Sequence, residues 1–202
     1  MAHFKERQVG KINVLDPVFN MGADYLEVLK EATRIGLGAL MTFQSRLELI
    51  ARPGGEAFLD LCTNLNAHLE FGLQTAVEAE FRAIKRPNNL QRVETALRAI
   101  RERGLSFETH LIYGLPNQTL ESFQRSIDFL QSNGCHTILA YPLMLLKGTP
   151  LLDRAEDFGF VVNETEDFRI PHPVASASYS ERDWHAMKEI AEGLSEDRRV
   201  FR

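Results

Sequence analysis

Short apolar runs alternate along this chain with longer amphipathic ones, and that alternation predicts its elements. Residues 11–16 (KINVLD) form a β-branched run closing on an acid, which reads as a strand. Asp24 then caps a helix, with Glu27 at capping-box spacing and Gly36 as its stop. Residues 39–49 read as the next strand, Gly54 and Gly55 break the chain, and residues 56–64 make a short helix. Residues 67–73 form a third strand, followed by a helix in which Thr75 and Glu78 again have capping-box spacing. Pro87 ends that helix. Asn88 and Gln91 open another, which runs to Gly104 with Leu90, Val93, Leu97 and Ile100 on one face. Residues 106–113 are the fourth strand, and the turn 114–118 leads into a helix over 119–133 that Gly134 stops. Residues 137–146 are a fifth strand, almost wholly apolar.

Strands alternating with helices of this length indicate parallel βα units with right-handed crossovers. Strands this apolar suit a sheet covered by helices on one face and enclosed on the other. About five strands cannot close an eight-stranded barrel, so the expected fold is α/β: a partial TIM-like (β/α) barrel. Residues 1–152 make that barrel, and the more polar residues 153–202 form an extension with a helix at about 180–197. Residues 2–8 read as the last turns of a helix ending near Gly10, without the leading strand that precedes the later helices.

Composition narrows the function. The chain has 202 residues, is 44% hydrophobic and 25% charged, and so buries a real core. Its net charge of −5 and its acids among Arg82, Lys85, Arg86, Arg92 and Arg98 argue against bulk nucleic-acid binding. No run approaches about 18 uncharged apolar residues, so no membrane span is expected. The start lacks the apolar segment of a secretory leader, and a cytoplasmic location is expected. The two cysteines, Cys62 and Cys135, are too far apart in sequence for a metal knuckle or a local iron–sulfur motif.

Functional groups of parallel α/β folds gather at the C-terminal ends of strands. Candidates there are Asp16 with Asn20, Gln44 with Arg46 and Glu48, Glu70 with Gln74, His110 with Tyr113, and Tyr141 with Lys147. The set has mixed charge and no evident nucleophile. Ion pairing of Arg46, Glu48 and Glu70 is the plain alternative to a catalytic role. His68 and His136 open their strands and are expected to meet solvent, and His110 suits a rim position. No Gly-x-Ser-x-Gly elbow, zinc spacing or P-loop is present. Glu48 and Glu70 on adjacent strands could serve a barrel lyase or hydrolase.

Three ordered strings are more specific than any of these. They are EFGLQT (70–75) followed by IKRPNN (84–89), LIYGLPNQT (111–119) with ESF (121–123), and LMLLKGTPL (143–151). In this order they resemble the later strands of radical S-adenosylmethionine (SAM) enzymes, of the cobalamin-domain and oxygen-independent coproporphyrinogen oxidase-like kinds. NVLDPVFN (13–20) resembles the second barrel strand of the cobalamin-associated group. The likeness covers residues 2–152.

The resemblance implies SAM bound across the strand tips. Gln74 and Glu48 would reach the ribose, Arg86 the methionine carboxylate, and Asp16 the neighbourhood of the methionine amine. Ile112, Gly114, Leu143, Met144 and Leu145 would border the adenine. It implies a [4Fe-4S] cluster as well, with cobalamin a further cofactor of the cobalamin-domain group. The chain departs from the family pattern in lacking Cys-x-x-x-Cys-x-x-Cys, in having His110 where an acid is usual, and Asn117 where glycine is usual. No catalytic residue and no metal ligand is assigned.

The expectation is therefore a truncated radical SAM domain starting inside the first helix of its barrel. The alternative is a non-catalytic fragment or partner subunit of a split protein. A complementary N-terminal fragment is the expected partner, and self-association is expected of the chain alone.

Overall fold

The computed structural model describes residues 1–163 and 170–200, with side chains described as far as Ser195. In chain order the elements are α1 (Ala2–Glu6), β1 (Lys11–Val14), a 3-10 turn (Phe19–Met21), α2 (Tyr25–Arg34), β2 (Leu40–Ser45), α3 (Leu47–Ile50), α4 (Gly55–Thr63) and β3 (Ala67–Gln74). There follow α5 (Glu78–Ala83), α6 (Leu90–Glu102), β4 (Ser106–Tyr113), α7 (Leu120–Ser132), β5 (Ile138–Pro142) and α8 (Pro150–Asp153). A second 3-10 turn (Glu156–Phe158), β6 (Val161–Asn163), β7 (His172–Ala175) and α9 (Glu181–Val200) complete the described chain. Five strands form one sheet in the order β1-β2-β3-β4-β5, and the β1–β2 and β2–β3 pairs are parallel. The expected α/β architecture is the one observed.

By contact density the chain falls into two compact units. One comprises residues 1–73, 89–109 and 132–136; the other comprises 74–88, 110–131 and the chain from 137 onward. In the first, Phe19, Tyr25, Phe43 and Phe58 form an aromatic cluster with centroids 4.6 to 6.4 Å apart. α2 packs on α4 and α3 packs on α6, whose Val93, Ala96, Leu97 and Ile100 are buried. In the second, Leu115, Leu143 and Leu145 make a core with Ile84, Ile112, Leu151 and Phe160 packed on it. There α9 lies against β5 and β7.

Several expected boundaries shift because residues far along the chain take the backbone groups at strand ends. The strand expected over 39–49 stops at Ser45. The Asn20 side chain accepts from the Arg46 N–H at 3.0 Å and donates to the Arg46 carbonyl at 3.1 Å. The backbone groups that would extend the ladder are thereby used, and the chain turns into α3. The strand expected over 137–146 covers only Ile138–Pro142. Beyond it the Leu143 N–H bonds the Tyr113 carbonyl and the Leu145 N–H bonds the Pro171 carbonyl.

Neither capping box forms. Asp24 stands at the N-cap of α2 without a side-chain bond, while Glu27 pairs with Lys30 at 2.7 Å. Glu78 pairs with Arg82, and Thr75 is used elsewhere. The helix expected from Asn88 and Gln91 is capped by Asn89, which accepts from the Arg92 N–H. β3 is not uniformly apolar: Ala67, Leu69, Phe71 and Leu73 are buried on one face, while His68, Glu70 and Gln74 alternate with them, half-buried. The extension holds an antiparallel β6–β7 pair that sequence periodicity does not predict, besides the expected helix. Residues 164–169 and 201–202 of that extension lie outside the described residues.

Candidate functional site

The second unit collects seven of the nine SAM candidates, and its polar centre is a residue that was not among them. Gln74, the last residue of β3, has φ +66, a left-handed conformation that costs a non-glycine residue about 1–2 kcal/mol. Its Oε1 is buried and has no hydrogen-bond partner among the described residues. The next residue, Thr75, donates its hydroxyl to Glu80 Oε2 at 2.6 Å and accepts from the Val77 N–H at 3.0 Å. Arg86 follows α5, half-buried, after Lys85 at φ +54.

Glu80 is fully buried although it sits on the short helix α5 among exposed charges. Its Oε2 accepts from Thr75 and from the Gln118 amide at 3.1 Å, and its Oε1 accepts a short bond from the Ser122 hydroxyl. Burial pushes this carboxyl above its ordinary range; the three donors, from Ser122, Thr75 and Gln118, pull it part of the way back. Gln118 carries the network onward. Its Oε1 accepts from the Gly114 N–H at 2.7 Å and the Leu115 N–H at 3.1 Å, while its amide also donates to the Ile112 carbonyl at 3.2 Å. Two N–H groups on one side and a carbonyl on the other fix which way this amide points.

Gly114 directly follows β4 with φ +83. A Cβ there would stand 3.4 Å from Trp184 Nε1, 3.4 Å from the Tyr179 hydroxyl and 3.5 Å from the Pro173 carbonyl. The Tyr179 hydroxyl donates to the Gly114 carbonyl at 2.9 Å, and burial raises its pKa. The turn is thus held from the chain on one side and from the C-terminal extension on the other. Of the three apolar candidates after β5, Leu143 and Leu145 are core residues, and Met144 is 36% exposed. Ile112 packs against the same core. His110 meets Tyr141 edge-on, centroids 5.6 Å apart.

The first unit holds the other two candidates, Asp16 and Glu48. Asp16 follows β1, is exposed, and accepts from the Val18 N–H at 3.0 Å. Glu48 lies in α3 rather than on a strand, and pairs with Arg46 at 2.9 Å. That placement takes it out of the strand-on-strand carboxylate pair with Glu70, which sits opposite Gln44 in the β2–β3 register. The ion-pair alternative holds for Arg46 and Glu48. His68 does not simply meet solvent: its Nδ1 lies 2.8 Å from the Ser106 hydroxyl and its Nε2 3.3 Å from the Glu108 carboxylate.

A sequence model of the radical SAM superfamily matches residues 1–130. The chain belongs to the radical SAM superfamily. Protein YhcC of Escherichia coli K12 is 29% identical over 103 residues, half of this chain and 33% of that protein. The ribosomal protein uS12 methylthiotransferase RimO of Heliobacterium modesticaldum is 37% identical over 65 residues, 14% of its length. The chain therefore spans at most about a third of these curated relatives. Among solved structures, TsrM from Kitasatospora setae, a radical SAM methyltransferase with cobalamin and a [4Fe-4S] cluster bound, superposes with TM-score 0.67 at 17% identity, over 82% of this chain and 35% of that one. Coproporphyrinogen III oxidase HemN of Escherichia coli superposes with TM-score 0.53 at 19% identity, over 87% of this chain and 37% of that one. These likenesses are of fold.

Radical SAM membership implies SAM and a [4Fe-4S] cluster, and the two fare differently on this chain's residues. An acceptor buried without a partner at the tip of β3 suits a hydroxyl donor such as those of a ribose. The cysteines do not suit a cluster. Cys62 is buried in α4, with its thiol pushed up to about 12 by burial, and Cys135 is buried and donates to the Thr109 hydroxyl at 3.3 Å. Among the described residues no group of three His, Cys, Asp or Glu side chains could hold a metal ion, and no helix is long and apolar enough to cross a membrane.

Sequence reading missed Glu80, Gln118, Ser122 and Tyr179. The available signal was Glu80 itself, an acid on the apolar side of α5 beside Phe81.

Proposed function

We propose that the second unit of this chain binds S-adenosylmethionine at the C-terminal ends of β3 and β4. The observation that carries the reading is the orphaned, buried Oε1 of Gln74, on a residue held in left-handed backbone immediately before Thr75. In this reading the Gln74 carbonyl oxygen accepts from a ribose hydroxyl, and the Arg86 guanidinium faces the methionine carboxylate. Ile112, the Gly114 backbone and Met144 border the adenine, while Leu143 and Leu145 form the packed floor beneath it. Asp16 and Glu48, occupied with Val18 and Arg46, are not needed for this part of the site.

In a whole radical SAM protein, SAM supplies the radical that abstracts hydrogen from an unreactive carbon after reductive cleavage at a [4Fe-4S] cluster. The thiolates for such a cluster are proposed to lie outside these 202 residues, on another segment or partner, because Cys62 and Cys135 are both committed to cores. This chain's own contribution is then binding and orientation: a fixed acceptor at Gln74, a cation at Arg86 and an apolar wall. Cobalamin is carried only by the likeness to the cobalamin-domain group and to TsrM, and no residue here is assigned to it.

The test is calorimetric titration of SAM into the chain and into Gln74→Ala and Arg86→Ala. Without a cluster to chelate the amino and carboxylate groups, the expected Kd is about 0.1–1 mM, or roughly −5.5 to −4 kcal/mol. Losing the Gln74 hydrogen bond should weaken binding about 3- to 10-fold, and losing Arg86 by more. Affinity unchanged in both variants contradicts the site.

A further inference from the structure

We infer that Glu80 is the positioning residue of this site: it ties the end of β3 to the Gly114 turn, so that SAM affinity depends on a carboxylate that touches no ligand. The inference rests on the reading of Gln74 and Gly114 as SAM contacts and adds a residue to it. Glu80 is linked to both walls, to one directly and to the other through Gln118. Through Oε2 it holds Thr75, the residue that follows Gln74; through Gln118 it holds the N–H groups of Gly114 and Leu115 and the carbonyl of Ile112. Through Oε1 and Ser122 it reaches the start of α7, where the Thr119 N–H donates to the Ser122 hydroxyl at 2.8 Å and the Ser122 N–H to the Thr119 hydroxyl at 3.1 Å. Ser126, one turn further along α7, accepts from the Ala76 N–H at 3.1 Å and closes the loop back to the residue after Thr75.

A purely structural role explains little of this arrangement. A buried carboxylate is costly, and an apolar residue on α5 could fill the same space without desolvating a charge. What the carboxylate supplies is three acceptor contacts to donors on three different segments. Those contacts hold Gln74 in a backbone conformation it would otherwise leave, and set the Gly114 turn against Tyr179 and Trp184. Preorganisation of this kind raises affinity by removing ordering costs at the moment of binding.

The experiment is SAM titration of the full chain with Glu80→Ala, Glu80→Gln, Gln118→Ala, the Glu80→Ala/Gln118→Ala double variant and Gln74→Ala. Far-UV circular dichroism confirms the fold of each. Trp184, the only tryptophan, reports on the Gly114 turn by its fluorescence. Glu80→Ala should weaken SAM binding about tenfold and shift the Trp184 emission. Glu80→Gln, which keeps an acceptor oxygen, should recover most of that loss. Gln118→Ala should weaken binding as well, and the double variant should lose less than the sum of the two, because the residues share one hydrogen bond. If Glu80→Ala does not fold, Ser122→Ala leaves the carboxylate in place and should still weaken binding about threefold.

Normal affinity in folded Glu80→Ala and Gln118→Ala, with Gln74→Ala impaired, overturns the positioning role and leaves the SAM site standing. Unchanged affinity in Gln74→Ala, or no binding by the parent chain, overturns both.

Discussion

Gly114 joins backbone conformation to packing at a single residue. With φ +83 and three polar atoms within 3.5 Å of a Cβ position, Gly114→Ala should cost about 1–2 kcal/mol in urea unfolding and disturb Trp184 fluorescence. An unchanged midpoint and emission would show that the turn tolerates a side chain. Glu80 makes a prediction about pH. Burial raises its carboxyl above the ordinary 4.5, so the folded chain binds this proton more tightly than the unfolded one. The stability this group contributes is therefore full below pH 4.5 and falls as pH rises through the elevated folded value. The urea midpoint of the parent chain, measured against Glu80→Gln across that interval, should fall with rising pH. A difference that stays flat, or grows with pH, contradicts the raised pKa. In the sequence Glu80 is one charge among Glu78, Arg82 and Lys85, marked out only by its place beside Phe81. Its burial depends on Thr75, five residues earlier, and on Gln118 and Ser122 arriving from the chain after β4.

Elements were readable where periodicity alone decides them. β4 occupies the expected residues 106–113, and α6 and α7 lie within a residue or two of theirs, because each buries a stripe at regular spacing. Boundaries failed where a distant side chain decides them. Leu47 and Leu49 look like more of β2 until Asn20, far back in the chain, takes the Arg46 N–H and carbonyl. Asn20→Ala should then cost about 1–3 kcal/mol, since it leaves two backbone groups of a half-buried residue unpaired. A loss below about 0.5 kcal/mol would mean that α3 is set by its own sequence instead. The motif strings placed Gln74 and Gly114 at strand ends, as the structure has them, but set Glu48 on a strand where it is helical.

For the whole molecule, two predictions follow from what the strands and cysteines leave open. β1 is the end strand of its sheet, with Lys11 its only charge, Leu15 just beyond it 88% exposed and Met21 65% exposed. Light scattering should show self-association of the chain, relieved by a fragment able to pair with that edge. A monodisperse monomer indifferent to the fragment contradicts this. Anaerobic reconstitution with iron and sulfide should give no stoichiometric [4Fe-4S] cluster, because the sequence has two cysteines, both buried, where a cluster takes at least three thiolates. Cluster absorbance near one per chain, abolished by changing Cys62 or Cys135, would count against it. The central claim, that the tips of β3 and β4 hold SAM, is tested most directly by a crystal structure of the chain soaked in millimolar SAM. The account predicts density for the nucleoside beside Gly114, with a ribose hydroxyl within hydrogen-bond distance of Gln74 Oε1. SAM bound elsewhere, or bound there with Gln74 making no contact to it, would contradict the account.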